Sequence, residues 1–264
     1  MAPISVIVHG ARGRMGQECL RTLARDPAVE VVGAVDVVPG GETLPLPDGA
    51  RSVPYSTSLE RLLSRCAAQV VVDFSVAEAA VAMARVAVPR DVRPVIGTTG
   101  LSEKDLGTLD ALSREHGVGI LLVPNFALGA VVLTYLVRQA ARFFEYADIF
   151  EAHHEAKIDA PSGTALAIAR AIAEEKRFKR PVPQKEPLAG TRGGDYNGVA
   201  IHSTRMPGRL AHHEVVFGAP GQTLTLRHDT LSRECYMPGL LLAVKEVVKR
   251  RTLVIGLEEV LGLH

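Results

Sequence analysis

Ile4-Ser-Val-Ile-Val-His-Gly-Ala-Arg-Gly-Arg-Met-Gly16, followed by Val29-Glu-Val-Val-Gly-Ala-Val-Asp36, is the stretch that decides the fold. Ile4 to Val8 is a β-branched run stopped by Gly10, the pattern of a strand buried on both faces. An amphipathic helix is expected from Gly16 to Ala24, and a second strand from Val29 to Val35. The acid at the end of that strand, Asp36, stands about twenty residues beyond the glycines. A βαβ unit of this kind holds a dinucleotide: glycines allow a tight turn and close approach of the pyrophosphate, and the acid takes the ribose hydroxyls. The spacing here is GxxGxxG, a departure from GxGxxG, so strand, helix and Asp36 carry the reading together with Gly10, Gly13 and Gly16. Asp36 repels a 2′-phosphate and favours NADH, while Arg12 inside the turn reaches toward that phosphate. Use of NADH, NADPH or both is the expectation.

Working outward, Val70 to Phe74 and Pro94-Val-Ile-Gly-Thr-Thr-Gly100 read as further strand ends, with a helix near Ala77 to Val86. Ligands of open parallel sheets lie beyond the carboxyl ends of the strands, which makes Gly97, Thr98 and Thr99 candidate cofactor contacts. A short strand, Gly119 to Val123, ends at Pro124-Asn-Phe126, and there the βα alternation stops. Ala130 to Phe144 reads as helix and Asp148 to His153 as strand. Lys176 to Asn197 reads as a polar, proline-bearing loop. Val199 to Thr204, Glu214 to Phe217 and Thr223 to His228 read as strands, the last two as a hairpin through Gly218 to Gln222. Gly239 to Lys249 and Leu253 to Ile255 suit a return to the first domain. The expected class is therefore α/β. A Rossmann-like parallel-sheet dinucleotide domain spans 1–126 and 236–264, and a smaller α+β substrate domain spans 127–235.

The chemistry concentrates in Glu151-Ala-His-His-Glu-Ala-Lys-Ile-Asp-Ala-Pro-Ser-Gly-Thr164. His153 and Lys157 are proton-handling groups, and Ser162-Gly-Thr164 opens an Ala-rich run that reads as a helix to Glu175. Free amides at a helix start, with hydroxyls beside them, hold carboxylates or phosphates. The chain has 264 residues, 47% hydrophobic and 22% charged, with a formal charge of +1. That balance gives no electrostatic case for nucleic acid or an anionic membrane as partner. No apolar run approaches the roughly 20 residues of a membrane span, and the first residues lack a basic leader. Cys19, Cys66 and Cys235 lie far apart and match neither a disulfide framework nor a CxxC metal site, which points to a cytoplasmic protein. Of the nine histidines, His153-His154 and His212-His213 are adjacent pairs. Neighbours on a strand face opposite ways, so no metal is expected, and His212 and His213 read as solvated strand or turn residues. Ser162 lies outside any G-x-S-x-G elbow, against a serine hydrolase.

Gly10-Ala-Arg-Gly-Arg-Met-Gly16, Gly97-Thr-Thr-Gly100, Pro124-Asn-Phe126 and the His153–Thr164 segment together resemble the 4-hydroxy-tetrahydrodipicolinate reductase family of lysine and diaminopimelate biosynthesis. Arg205-Met-Pro-Gly208, Phe217-Gly218 and Arg227-His-Asp229 extend the likeness over essentially the whole chain. The resemblance implies an oxidoreductase that reduces a cyclic dicarboxylate with NADH or NADPH, delivering hydride to ring C4. It also implies a homotetramer built by the C-terminal domain. It assigns His153 as acid/base, Lys157 as proton donor beside it, His154 as a substrate contact, and Gly163 and Thr164 as the grip on a substrate carboxylate. Cofactor contacts carried over are Gly10, Ala11, Arg12, Gly13, Arg14, Met15, Asp36, Gly97, Thr98, Thr99, Val123, Pro124, Asn125 and Phe126. Glu155 departs from the pattern, standing where many relatives carry a basic or neutral residue. Two other readings compete: a different nicotinamide enzyme acting on a small amino or oxo acid, and a cofactor-binding redox sensor without catalysis. The His153–Thr164 segment argues against the first, and the presence of both His153 and Lys157 against the second.

Overall fold

The Ile4–Val8 run forms β1 (Ile4–His9), and the glycine turn leads into α1 (Arg14–Leu23) and β2 (Val29–Val35). In this computed structural model, which describes residues 2–49 and 51–263, β1 and β2 pair in parallel. The chain continues through β3 (Thr43–Pro45), β4 (Ser52–Ser56), α2 (Leu59–Leu63), β5 (Val70–Asp73), α3 (Ala77–Ala87), β6 (Arg93–Ile96), α4 (Glu103–His116) and β7 (Ile120–Leu122). Next come α5 (Leu128–Ala141), β8 (Tyr146–His153), α6 (Gly163–Glu175), β9 (Gly194–Tyr196), β10 (Val199–Arg205), β11 (Ala211–Ala219) and β12 (Gln222–Thr230). The chain closes with α7 (Met237–Val247) and β13 (Leu253–Ile255). Two compact units result: one runs to Phe126 and resumes at Tyr236, and the other is Ala127–Cys235.

The first unit holds an eight-stranded sheet in the order β13-β7-β6-β5-β1-β2-β4-β3. Its pairs are parallel except β3 with β4. Val70, Val71 and Val72 of β5 are all fully buried, as expected of a strand covered on both faces. Each such valine contributes about 1.5–3 kcal/mol. Helices α2, α3 and α4 bury Leu62, Met83, Ala84 and Leu109 against one face, and α1 packs with α7. Because β2 lies on one side of β1 and β5 on the other, the switch point falls at the carboxyl ends of β1 and β5, where such sheets bind ligands.

The second unit is a five-stranded sheet, β12-β11-β8-β10-β9. Strand β8 sits at its centre, parallel to β10 and antiparallel to β11. Helices α5 and α6 lie over one face. There Ala147, Ile149, Val199, Ile201, Val215 and Phe217 from the strands bury against Leu133, Val137, Ile168 and Ile172. The period of two along β8 therefore sends Glu151 and His153 to the same face as Ile149.

Several boundaries differ from the sequence expectation for physical reasons. Helix α1 starts at Arg14, two positions before Gly16, because Gly13 takes the extended N-cap conformation and its carbonyl accepts from Gln17 N. Gly16 therefore lies inside the helix, and it is glycine because a Cβ there would come within 2.1 Å of the Gly10 carbonyl oxygen. Strands β11 and β12 run on to Ala219 and Gln222, so the hairpin loop is Pro220-Gly221, with Gly221 at φ +75°. The polar stretch expected as loop over Lys176–Asn197 contains β9, which pairs with β10. Strands β3 and β4 and helix α2 were not anticipated.

Candidate active site

In the first unit the glycine turn is shaped by steric need. Gly10 has φ +76° and a Cβ there would lie 2.6 Å from the Phe74 carbonyl oxygen, so only glycine fits. Ala11 is buried, Met15 is half-buried, and Arg12, Gly13 and Arg14 are exposed around the start of α1, which presents free backbone amides as pyrophosphate binding requires. Asp36 is 8% exposed. Its Oδ2 accepts from Arg12 N at 2.8 Å and its Oδ1 from Val38 N at 3.1 Å, which fixes the carboxylate at the end of β2. The Arg12 guanidinium lies over the Tyr55 ring, 4.9 Å from its centroid. The donor set of this turn fits a dinucleotide.

The remaining expected cofactor contacts divide into surface and support. Thr98 is buried, donates to Asp73 Oδ2 at 2.5 Å and accepts from Ser75 N at 2.9 Å, so its side chain holds the loop. Thr99 beside it is exposed. A Cβ on Gly97 would meet the Phe74 and Phe126 rings at 2.3 and 2.7 Å, and those rings pack 5.5 Å apart. Val123 and Phe126 face inward, at 0% and 4% exposure; Pro124 is exposed and Asn125 half-buried.

In the second unit the site assembles at the carboxyl end of β8. The Nδ1–H of His153 donates to Glu151 Oε2 at 2.6 Å. A carboxylate acceptor assigns that proton to Nδ1 and leaves Nε2 as the atom that exchanges protons. Glu151 is 1% exposed, and Arg205 clamps it with a two-pronged contact, Nη1 to Oε2 at 3.0 Å and Nη2 to Oε1 at 2.9 Å. Burial works against the Glu151 charge, yet hydrogen bonds from His153, Arg205 and Ser203 hold its carboxyl well below the usual carboxylate range. The same Oε1 accepts from the backbone N of Ser162 at 3.2 Å.

Ser162 is the N-cap of α6, its Oγ accepting from Ala165 N; such a cap contributes about 1 kcal/mol. Among the described residues, the amides of Gly163 and Thr164 in the first turn are left without a protein acceptor. Nothing lies within 4 Å of where a Cβ on Gly163 would stand, so the bare backbone opens onto free space. Lys157 pairs with Asp159 at 2.6 Å, and Arg205 Nη2 donates to the Asp159 carbonyl. His154 is half-buried and Glu155 exposed.

His213 corrects one expectation. Read from the sequence as solvated, it is 3% exposed, shares a hydrogen bond with Ser162 Oγ at 3.2 Å and meets the His153 ring edge-on at 5.3 Å between centroids. Burial, with repulsion from His153, pushes its imidazole down to about 4. The cause is register: His213 stands opposite Glu151 across the β8–β11 ladder and so shares its face, while His212 turns to the other face and pairs with Asp229 at 2.5 Å. Glu151 and Arg205 were also missed as members of the site. The family resemblance of Arg205-Met-Pro-Gly208 marks Arg205 in the sequence but assigns it no role. Among the described residues no group of three or more His, Cys, Asp or Glu is placed to hold a metal ion, and no helix is long and apolar enough to cross a membrane.

Comparison with known proteins covers both units. The family models for the N-terminus and C-terminus of dihydrodipicolinate reductase match residues 4–126 and 129–261. A 4-hydroxy-tetrahydrodipicolinate reductase from Dehalococcoides mccartyi (strain ATCC BAA-2266 / KCTC 15142 / 195) is 47% identical over 263 residues, 100% of both chains. One from Bacillus subtilis (strain 168) is 40% identical over 98% of both. Among solved structures, dipicolinate-bound dihydrodipicolinate reductase from Paenisporosarcina sp. TG-14 aligns with TM-score 0.87 at 36% identity, covering 97% of this chain and 99% of that one.

Proposed function

The chain belongs to the dihydrodipicolinate reductase family, and from that premise we propose that it reduces 4-hydroxy-tetrahydrodipicolinate, by way of dihydrodipicolinate, to tetrahydrodipicolinate in diaminopimelate and lysine biosynthesis. The observation that carries this reading is the carboxylate-held imidazole of His153 on the unit that also presents the bare first turn of α6. Loss of water from the substrate gives a conjugated imine. The Gly10–Met15 turn, Asp36, Gly97–Thr99 and Val123–Phe126 are the residues that would hold NADH or NADPH, which would supply the hydride for ring C4. Reduction at C4 leaves enamine character that must be protonated, and a histidine general acid suits that step near neutral pH. His153 delivers the proton through Nε2, with Lys157 adding positive potential and a second proton source. The amides of Gly163 and Thr164 grip a ring carboxylate with the favourable end of the helix dipole, and His154 contacts the other side of the substrate.

The reading extends to a cytoplasmic homotetramer. The sheet face of the second unit opposite α5 and α6 supports it, because Phe150, stacked on His202, remains 39% exposed there. Light scattering is expected to give four times the 28.2 kDa chain mass; a monomeric mass rejects the tetramer. The activity is tested by following oxidation of NADH and of NADPH with freshly generated 4-hydroxy-tetrahydrodipicolinate. Folded protein that oxidises neither in response to substrate defeats the proposal.

A further inference from the structure

Four parts of the second unit converge on one ion pair. Glu151 takes the His153 Nδ1–H on Oε2 and the Ser162 backbone N–H on Oε1. Arg205 grips both of those oxygens and also donates to the carbonyl of Asp159, the residue whose carboxylate holds Lys157. The proton donor, the start of α6 and the turn bearing Lys157 thus hang from a single joint. His213 closes it from β11, with its ring against His153 and its Nε2 on Ser162 Oγ.

We propose that the Glu151–Arg205 pair is the positioning element of this site, setting the proton donor and the carboxylate grip together. Neither residue touches the reacting atoms: Glu151 acts through His153 and through α6, and Arg205 acts through Glu151 and Asp159. The pair is built for this task. A lone carboxylate at this depth would be too costly to keep ionised, and the two-pronged guanidinium contact both neutralises it and fixes its plane. With the plane fixed, the two oxygens point at different clients, which couples the orientation of the imidazole to the position of the helix start. Loosening the pair therefore damages proton delivery and carboxylate binding at once. Loss of His153 alone damages only the first.

The inference rests on the reductase reading, and its test can fail separately from it. Glu151→Gln is isosteric and is examined in the full-length chain, with Arg205→Lys as the second variant, which keeps the charge and loses the fork. Pyridine-2,6-dicarboxylate serves as a non-reacting dicarboxylate probe, measured by calorimetry. Glu151→Gln is expected to lower kcat at least 100-fold, to weaken the probe at least 10-fold and to leave NADH affinity within twofold. Arg205→Lys follows the same pattern at smaller amplitude and decides the matter if Glu151→Gln does not fold. In proton NMR, the downfield resonance of the His153 Nδ1–H, assigned by its disappearance in His153→Gln, is expected to be lost in Glu151→Gln. At saturating substrate a Glu151→Gln/His153→Gln double variant should have a kcat no lower than that of His153→Gln, because Glu151 acts on proton delivery through His153, while its probe affinity falls with that of Glu151→Gln. Additive losses of kcat in the double variant overturn the proposal, as does unchanged probe affinity in folded Glu151→Gln and Arg205→Lys. If the wild-type protein oxidises no cofactor with substrate, the reductase reading falls, while the probe and NMR arms still decide whether the joint exists.

Discussion

His9 and His153 occupy matching situations in the two units. Each ends a strand, each directs Nδ1 at a carboxylate with no side-chain exposure, at 2.5 Å for Asp73 and 2.6 Å for Glu151, and each ring is only 13% or 10% exposed. They differ in what else the carboxylate holds. Asp73 is completed by neutral hydroxyls, from Ser75 on Oδ1 and Thr98 on Oδ2, and the effect is to tie the strand-end loops around the glycine turn. Glu151 is completed by a guanidinium and by the backbone amide of Ser162, the N-cap of α6. The same dyad thus fastens loops in one unit and, on the proposed reading, belongs to a proton-transfer site in the other.

The largest expected difference lies in turnover. His153→Gln and Lys157→Ala should each lower kcat by about 100- to 10,000-fold with the KM for NADH little changed, whereas His9→Gln should leave kcat within about threefold of wild type. Steady-state kinetics on the three variants decides it, and a His9→Gln protein as slow as His153→Gln erases the distinction. The next effect is on stability. Arg205→Met strands a buried carboxylate and should cost about 3–5 kcal/mol. Thr98→Val leaves Asp73 with His9 and Ser75 and should cost about 1–3 kcal/mol. Urea unfolding curves compare the two, and equal losses would show that the charged partner of Glu151 is not special.

Acid separates the pairs more gently. The His213 imidazole, at about 4 in the folded chain, is lowered from an unfolded value near 6.5, so the unfolded state binds the proton first and stability falls as pH drops through this window. The loss should reach about 2 kcal/mol by pH 5. A His213→Gln variant should show a flatter fall in urea midpoint between pH 7 and pH 5; an unchanged slope would place the acid sensitivity elsewhere. The smallest effect concerns the helix start. Gly163→Ala gains up to about 1 kcal/mol of helix propensity and meets no protein atom, so the melting temperature should hold or rise. Affinity for pyridine-2,6-dicarboxylate should fall several-fold, and unaltered affinity would remove the bare backbone from the binding site.

What was legible in the sequence follows from distance along the chain. Strands β1, β2, β5 and β13 were readable because β-branched runs bounded by glycine or an acid are local patterns, and the Ser162 cap with its following alanines marked α6 for the same reason. His153 and Lys157 were readable because the segment holding them is short. Glu151 lies within that segment without a legible role, since its partner Arg205 is 54 positions away and its cross-strand neighbour His213 is 62, and both meet it only through the ladder register. His213 was misread because an isolated pair of histidines does not say which member faces the helices. Strands β3, β4 and β9 escape because Thr43-Leu-Pro45, Ser52-Val-Pro-Tyr-Ser56 and Gly194-Asp-Tyr196 are broken by proline or polar residues, whereas the equally short Leu253-Val-Ile255 is an uninterrupted apolar run.

The position of β13 has a consequence for how the chain is made. Residues Leu253–Ile255 supply the edge strand beside β7, whose Ile120, Leu121 and Leu122 are nearly or wholly buried, and α7 arrives only just before it. A ribosome that has released the first 126 residues has therefore delivered a sheet with one flank still bare. That flank stays open while the whole second unit is translated. The nascent chain spends that interval with a hydrophobic strand edge open to stray pairing, so a strand encoded beyond the whole second unit is the one that seals the first unit begun.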